Sequence, residues 1–287
     1  MDPILDVQGL SFRYEGGHEG AVLDGLSFTL ERGERVGLVG CNGVGKSTLL
    51  KLLVGILPMQ QGTLTVGGLA MNRKNLPELR RKVGYVFQDS DSQLFMPTVQ
   101  ADVAFAAENY GYPPQEVADR TRRALARVQL EGCADRPVYR LSGGQKKRVA
   151  LAAALIHPAD VLVLDEPTNH LDLNSVEWLE NYIKAFKGTV LAISHDRYFI
   201  DQIAQRVIEI VDGHAEFYSG NYSFYMDEKQ ARFDLQMKQY EQEQAKLKQL
   251  GYTVERMKGW GINNRTLYRR AMSIQHRICL LYTSDAA

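Results

Sequence analysis

The sequence has few cysteines, no long apolar run and no export signal, which are the features typical of secreted and membrane-spanning proteins. Only three of its 287 residues are cysteines, and Cys41, Cys133 and Cys279 lie far apart without Cys-x-x-Cys spacing. This pattern favours a reducing compartment. No uninterrupted apolar run approaches the roughly 18 residues that a membrane-spanning helix needs, and the first residues lack the basic and apolar pattern of an export signal. We therefore expect a cytoplasmic protein, with any membrane role exercised through a partner.

A glycine-rich segment at residues 40–48 fits the pattern G-x-x-x-x-G-K-[ST]. It lies between a strand-like run at residues 35–39 and a helix-like run at residues 48–54, which is the context such a loop requires. Backbone N–H groups freed by the glycines wrap phosphates, Lys46 faces the β and γ phosphates, and Ser47 offers a hydroxyl to Mg²⁺. The segment predicts a nucleoside triphosphate site built from Gly40, Asn42, Gly43, Gly45, Lys46, Ser47 and Thr48.

An apolar run at residues 161–166 ends in two carboxylates, Asp165 and Glu166. The run predicts a buried parallel strand. In phosphoryl transfer, Asp165 is placed to hold Mg²⁺ through water and Glu166 to polarise the attacking water. An isolated Asp-Glu pair can instead cap a helix, but the phosphate loop upstream favours the catalytic interpretation.

The segment LSGGQ at residues 141–145 precedes a predicted helix over residues 146–156. Together with the two patterns above it resembles the signature motif of the ATP-binding cassette (ABC) ATPases. The resemblance covers about residues 1–218 and implies an α/β P-loop NTPase cassette with a helical subdomain at about residues 98–157. It also implies that Ser142, Gly143, Gly144 and Gln145 meet the γ-phosphate of ATP held by an opposite cassette. One cassette alone cannot complete such a site.

The same resemblance assigns further roles, although each of these residues has an ordinary structural explanation when it is considered alone. It implies that Tyr14 stacks on adenine and that Asp172 belongs to the D-loop. It implies that Gln88, the Q-loop residue, senses Mg²⁺ and water, and that His195 is the switch histidine that touches the γ-phosphate. The implied catalytic residues are thus Glu166, His195 and Gln88, and the implied Mg²⁺ residues are Ser47, Gln88 and Asp165.

Two parts of the chain resemble different branches of the family. The Q-loop region, residues 87–99 (FQDSDSQLFMPTV) and 102–105 (DVAF), is similar to the ATPase subunits of energy-coupling-factor and cobalt-type importers, where this loop docks on a membrane subunit. Residues 165–172 (DEPTNHLD), 194–199 (SHDRYF) and 218–222 (YSGNY) resemble instead the ABC-F proteins, soluble twin-cassette ATPases that act on the ribosome. Residues 141–155 fit both branches, so an assembly error that joined two genes there is one interpretation.

Residues 219–278 are interpreted as a truncated helical hairpin of the ABC-F type. Apolar residues at steps of three, four or seven predict an amphipathic helix over residues 226–258, ~50 Å long. A turn at residues 259–264 and a returning helix over residues 267–278 follow. Residues 256–277 carry six basic and no acidic side chains, with Trp260 and Tyr268 interleaved. This is typical of an RNA-contacting arm, and a solvated linker is the alternative. Residues 279–287 resemble a translated sequencing adapter and are interpreted as a non-native tail.

These patterns predict an enzyme that binds and hydrolyses Mg-ATP and pairs with a second cassette, either a second copy or a missing tandem domain. Because of the arm, we expect an ABC-F-like translation factor with the ribosome or its RNA as partner. The alternative is the ATP-hydrolysing subunit of an energy-coupling-factor importer for cobalt or a vitamin, peripheral to the membrane and bound to membrane subunits through the Q-loop region.

Overall fold

The computed structural model describes residues 3–15, 20–169, 171–260 and 272–273. These residues form two compact units that divide between Tyr225 and Met226. The strands are β1 (Leu5–Phe12), β2 (Leu23–Leu30), β3 (Arg35–Val39), β4 (Gln61–Val66), β5 (Leu69–Ala70), β6 (Val83–Val86), β7 (Val161–Asp165), β8 (Thr189–Ile193), β9 (Arg206–Val211) and β10 (His214–Tyr218). The helices are α1 (Lys46–Leu53), α2 (Leu76–Lys82), α3 (Val99–Asn109), α4 (Pro114–Arg127), α5 (Gly143–Ala154), α6 (Leu173–Ala185), α7 (Arg197–Ile203) and α8 (Tyr222–Trp260).

The central sheet of the first unit has the strand order β10-β9-β3-β8-β7-β6. Its strands run parallel except β10, which pairs antiparallel with β9. Parallel strands end at the same edge of a sheet, where ligands of α/β proteins bind. The ends of β3, β7 and β8 therefore deliver Gly40, Glu166 and His195 to one edge.

Two hydrophobic cores cover the two faces of this sheet. Val161 and Val163 of β7 belong to one core, together with α1 and the antiparallel sheet β2-β1-β4-β5. Leu162 and Leu164 belong to the other core, together with α3 to α7. Side chains of a strand alternate between faces, so a fully apolar strand such as β7 is buried on both sides.

The helical subdomain lies between β6 and β7 and consists of α3, α4, two short 3₁₀ turns and α5. The helix predicted to begin at residue 146 begins instead at Gly143, because Ser142 caps it. The Ser142 hydroxyl accepts a hydrogen bond from the Gln145 backbone N–H (3.3 Å), and the Gln145 side-chain oxygen accepts one from the Ser142 N–H (3.1 Å). This reciprocal capping box satisfies two N–H groups that would otherwise lack partners.

Two other predicted element boundaries also shift. The helix after the phosphate loop begins at Lys46 rather than residue 48, directly after Gly45, whose left-handed backbone (φ 97°) turns the chain into the helix. The strand predicted over residues 161–166 ends at Asp165, because Glu166 has a positive φ of 45° that leaves the extended conformation.

The second unit consists mainly of α8, which begins in the first unit at Tyr222 and is 39 residues long, about 58 Å at 1.5 Å per residue. The turn predicted at residues 259–264 does not begin at Gly259, since the helix continues through Trp260; a single glycine costs a helix only about 1 kcal/mol. The predicted returning helix and the tail at residues 279–287 lie outside the described residues, apart from helical residues 272–273. Within the described part of the chain, no helix has the length and apolarity to cross a bilayer.

Candidate nucleotide-binding and hydrolysis site

The phosphate loop joins β3 to α1 and is curled around the buried ammonium of Lys46. Lys46 Nζ donates hydrogen bonds to the carbonyls of Gly40 (2.7 Å) and Cys41 (2.8 Å). Burial lowers the pKa of Lys46, against the opposing effect of nearby Glu166, Cys41 and Asp165. Gly40 has φ 141°, and a Cβ there would lie 2.7 Å from the carbonyl oxygen of Ile210. A side chain at position 40 would therefore displace the loop.

Asp165 at the end of β7 lies beside the first turn of α1. Its Oδ1 accepts a hydrogen bond from the Ser47 hydroxyl (3.4 Å) and its Oδ2 accepts one from the Tyr85 hydroxyl (3.1 Å). Burial raises the pKa of Asp165, while these two hydrogen bonds lower it. Burial and the Asp165 charge raise the pKa of Tyr85, so its hydroxyl stays a donor. Tyr85 was not identified from the sequence.

The neighbouring oxygens of Ser47 and Asp165 suit Mg²⁺. This ion takes few protein ligands and keeps several waters and phosphate oxygens. Among the residues that the structure describes, no group of three or more His, Cys, Asp and Glu side chains forms a metal cluster. A hydroxyl and one carboxylate beside a phosphate loop is a donor set that fits Mg²⁺ bound together with a nucleotide.

Glu166 and His195 meet across the ends of β7 and β8. Glu166 is only 5% exposed. Its Oε2 accepts a hydrogen bond from the His195 backbone N–H (3.0 Å), and its Oε1 lies 3.3 Å from His195 Nε2. The His195 side chain is 60% exposed. The positive φ of Glu166 costs a non-glycine residue on the order of 1–2 kcal/mol, and the hydrogen bonds to its neighbours hold it there.

Tyr14 lies beside the phosphate loop at the mouth of an open cavity of about 560 Å³. Its hydroxyl is 3.0 Å from the Thr48 hydroxyl, and its ring packs edge to face against Phe12 at 5.0 Å. Val22 and Val44 line the same cavity. A partly exposed ring on an apolar cavity next to a phosphate loop can accommodate a flat base.

The Q-loop is held by a lysine that the sequence analysis missed. Lys147 on α5 is buried, and its ammonium donates to the carbonyls of Phe87 and Gln88, both at 2.9 Å. Burial lowers the pKa of Lys147 to about 8, although nearby carboxylates oppose this. The side chain of Gln88 itself is exposed. From the sequence, two adjacent lysines in a helix are expected to be exposed to solvent. Only the tertiary packing distinguishes the buried Lys147 from Lys146.

The signature motif occupies a different part of the site. Within the described part of the chain, no hydrogen bond or ion pair joins residues 141–145 to the phosphate loop. Gly144 packs against α6, where a Cβ would lie 2.4 Å from Ser175 Oγ. Asp172 caps α6 by accepting from the Ser175 N–H (2.9 Å). The structure thus places both Gly144 and Asp172 against Ser175 of α6.

The fold and this edge of the sheet define a P-loop NTPase with an ABC-type helical subdomain. Residues 23–169 match a family described as ABC transporter, and residues 208–281 match a second one with the same description. The chain belongs to the ABC transporter ATP-binding family. The ATPase activity and fold class predicted from the sequence are therefore confirmed.

Individual relatives of known name and structure show which members of the family this chain is similar to. The energy-coupling factor transporter ATP-binding protein EcfA1 of Geobacillus kaustophilus is 42% identical over 199 residues, 68% of this chain and 71% of that protein. The structure of cbiO1 from Clostridium perfringens, described as part of the ABC transporter complex cbiONQ, is 34% identical with a TM-score of 0.70, covering 83% of this chain and 96% of that one. A dimeric ATP-binding cassette, MJ0796, bound to ADP and Pi is 26% identical with a TM-score of 0.66, covering 74% and 96%.

These comparisons favour the importer branch over the ABC-F branch, the two that the sequence left open. They support the resemblance to importer ATPases and give no support to an ABC-F or ribosome-associated identity. They also give no support to a join of two genes at residues 141–155, which lie within the family match over residues 23–169.

Replacing Glu166 by glutamine removes the carboxylate next to Asp165 but keeps the size of the side chain. We expect Glu166→Gln to bind ATP normally but to hydrolyse it about 100- to 1000-fold more slowly, the scale of losing one essential charged or basic group. Steady-state phosphate release measures the rate. Glu131→Gln, an exposed glutamate in a 3₁₀ turn, is the control and should hydrolyse normally. Unchanged turnover in Glu166→Gln would rule out this assignment.

Replacing Lys147 by methionine removes the donor to two Q-loop carbonyls. Leaving buried polar groups unpaired costs about 1–3 kcal/mol, so we expect kcat to fall by about tenfold with a smaller change in the KM for ATP. Lys147→Arg, which keeps the charge and donors, should recover part of the loss. Lys146 pairs with exposed Asp91 at 2.5 Å, and a surface pair of this kind contributes little. Lys146→Met with an equal defect would contradict the specific role of Lys147.

Proposed function

We propose that this chain is the ATP-hydrolysing subunit of an importer of the energy-coupling-factor type, which works as a pair of cassettes and is peripheral to the membrane. The observation that carries the proposal is an exposed aromatic surface on the Q-loop. Phe95 is 64% exposed although it is a large apolar side chain. The names of EcfA1 and cbiO1 as transporter components support the same conclusion.

Within one cassette, the phosphate loop and Lys46 bind the phosphates, and Ser47 and Asp165 hold Mg²⁺ with Gln88 nearby. Glu166 orients the attacking water, since its carboxylate is buried at the strand end beside the loop. His195 contacts the γ-phosphate through its exposed ring. Tyr14 stacks on the base.

The second cassette supplies what the first one lacks. Ser142 caps α5 and residues 143–145 form its first turn, so the N–H groups of Gly143 and Gly144 and the helix dipole form a site for negative charge. Because no hydrogen bond or ion pair among the described residues joins them to the phosphate loop of their own cassette, we assign them to ATP held by the partner. The dimeric ADP-bound relative supports this arrangement.

The Q-loop surface is the membrane-subunit docking site in this proposal. The Phe95 ring packs edge to face on Phe105 at 4.9 Å. Both rings line a cavity of about 200 Å³ together with Arg81 and Tyr110. Lys147 of α5 donates hydrogen bonds to two carbonyls of this loop. A displacement of the loop is therefore transmitted to the helix that carries the signature motif.

The ribosomal interpretation of the arm has weaker support than the importer proposal, because the relatives EcfA1 and cbiO1 are named as transporter components. Of the six basic residues that motivated it, only Arg256 and Lys258 lie among the described residues. The other four, Arg265, Arg269, Arg270 and Arg277, lie outside them.

ATP should drive dimerisation if the composite site exists. We expect Glu166→Gln with saturating Mg-ATP to form a dimer at tens of micromolar protein, because slow hydrolysis keeps the ATP that bridges the cassettes. Size-exclusion chromatography with light scattering measures the mass. Lys46→Ala, which loses the phosphate contact, should stay monomeric. A monomeric Glu166→Gln protein would argue for a missing second cassette.

Removing the exposed Phe95 ring of the Q-loop should weaken the contact with the membrane subunit. We expect Phe95→Ala to lower capture of the chain by the transmembrane subunit of an energy-coupling factor transporter in detergent by about tenfold, as for an aromatic hot spot. Phe217→Ala, an exposed ring on β10 at the opposite edge of the sheet, should bind normally. Ribosome cosedimentation of the full chain without any membrane-subunit binding would favour the ABC-F function instead.

A further inference from the structure

A third cavity, of about 680 Å³, opens between the helical subdomain and the core sheet. It is lined by α4, by the end of α6, and by the segments before β7 and β8. Glu166 and His195, two residues of the candidate nucleotide site, follow the carboxyl ends of β7 and β8, whereas the cavity lies at the amino ends of these two strands. Each strand has five residues, which places the cavity about 16 Å or more from the phosphate loop. The cavity is therefore separate from the nucleotide site.

Three arginines and one lysine line this cavity together with His157, and no acidic side chain does. Three of them lie on α4, namely Arg120, Arg123 and Arg127. Their steps of three and four residues put them on one helix face. The fourth, Lys187, follows α6 on the other side. In a chain with equal numbers of basic and acidic residues, this is a local excess of positive charge.

Most of this charge has no acidic partner. Arg120 pairs with Glu116 at 2.7 Å and lies 4.0 Å from the centre of the Tyr112 ring. Among the described residues, Arg123 donates to one backbone carbonyl, that of Asp119 at 3.2 Å. Within residues 3–15, 20–169, 171–260 and 272–273, neither Arg127 nor Lys187 has an ion pair. Three cations thus face the cavity with donors available.

The floor of the cavity is apolar and aromatic. Tyr182 and Phe186 of the α6 region face Leu155 and Ile156 from the end of α5. Tyr182 is half-buried, and its ring lies 5.3 Å from that of Trp178. A cavity of this size lies in the range of small-molecule sites, which combine apolar walls with a few convergent polar groups.

We propose that this cavity binds a small organic phosphate whose remaining part is aromatic or apolar. A guanidinium group can donate two parallel hydrogen bonds to phosphate oxygens, so Arg123 and Arg127 bind the phosphate. Lys187 approaches it from the facing segment, and the rings of Tyr182 and Phe186 cover the apolar part. The ligand would contact the helical subdomain and the core sheet at once.

The probe for this site is 1-naphthyl phosphate, titrated calorimetrically into the full chain saturated with Mg-ADP so that the phosphate loop is filled. We expect a dissociation constant of about 10–500 μM, typical of a ligand of this size. The double variant Arg123→Gln/Arg127→Gln should bind about tenfold or more weakly, because two charge-assisted contacts are lost. 1-Naphthol and inorganic phosphate, each lacking one half of the ligand, should also bind more weakly than the probe.

The matched control is Arg122→Gln, on the same helix but paired with Asp119 at 2.5 Å and absent from the cavity wall. It should bind the probe normally, and equal melting temperatures of all variants would show that they fold. No binding at millimolar probe, or equal losses in the control and the double variant, would overturn the proposal. So would a result in which the two arginines govern binding to phosphatidylglycerol vesicles while the probe does not bind, since the surface would then be a membrane contact.

Discussion

Parallel pairing of β8 with β3 on one side and β7 on the other aligns the three strand ends from which the phosphate loop, the two carboxylates and His195 leave the sheet. The order of these segments along the chain does not bring them together, because residues 40 and 165 are separated by the whole helical subdomain. The sheet register does, and both cores depend on it, since a slip by one residue would exchange the side chains of β7 between them. Stability and the candidate site therefore rest on the same pairing.

Charge burial is concentrated at this edge. Lys46, Lys147, Asp165 and Glu166 are each less than 9% exposed, and burying an isolated charge is costly. The two lysines satisfy their donors with backbone carbonyls, and Asp165 is satisfied by two hydroxyls. Opposite charges face each other across a small volume, which strengthens each interaction relative to water. The arrangement is suited to receive a triphosphate with its metal ion.

The division of the site between two parts of the molecule follows from α5. Its first turn carries the signature motif, and Lys147 one turn later holds the Q-loop backbone. A rigid helix therefore links the surface proposed to contact a membrane subunit to the residues proposed to contact a partner's ATP. The cationic cavity touches the same subdomain from the other side, where α4 meets the core.

The sequence alone determined the class of protein, because phosphate binding, metal binding and helix capping depend on short contiguous segments such as residues 40–48, 141–145 and 161–166. It also predicted the long helix, although not its passage through Gly259. It favoured the ABC-F branch, which the comparisons do not support, because the composition of an amphipathic basic segment does not identify its partner. Tertiary structure decided the rest. Lys147 and Lys146 are neighbours with identical side chains, and only packing buries one of them beneath the Q-loop. Arg123, Arg127 and Lys187 are separated by up to 64 positions, and they share a cavity only because α4 packs beside the entrance to β8.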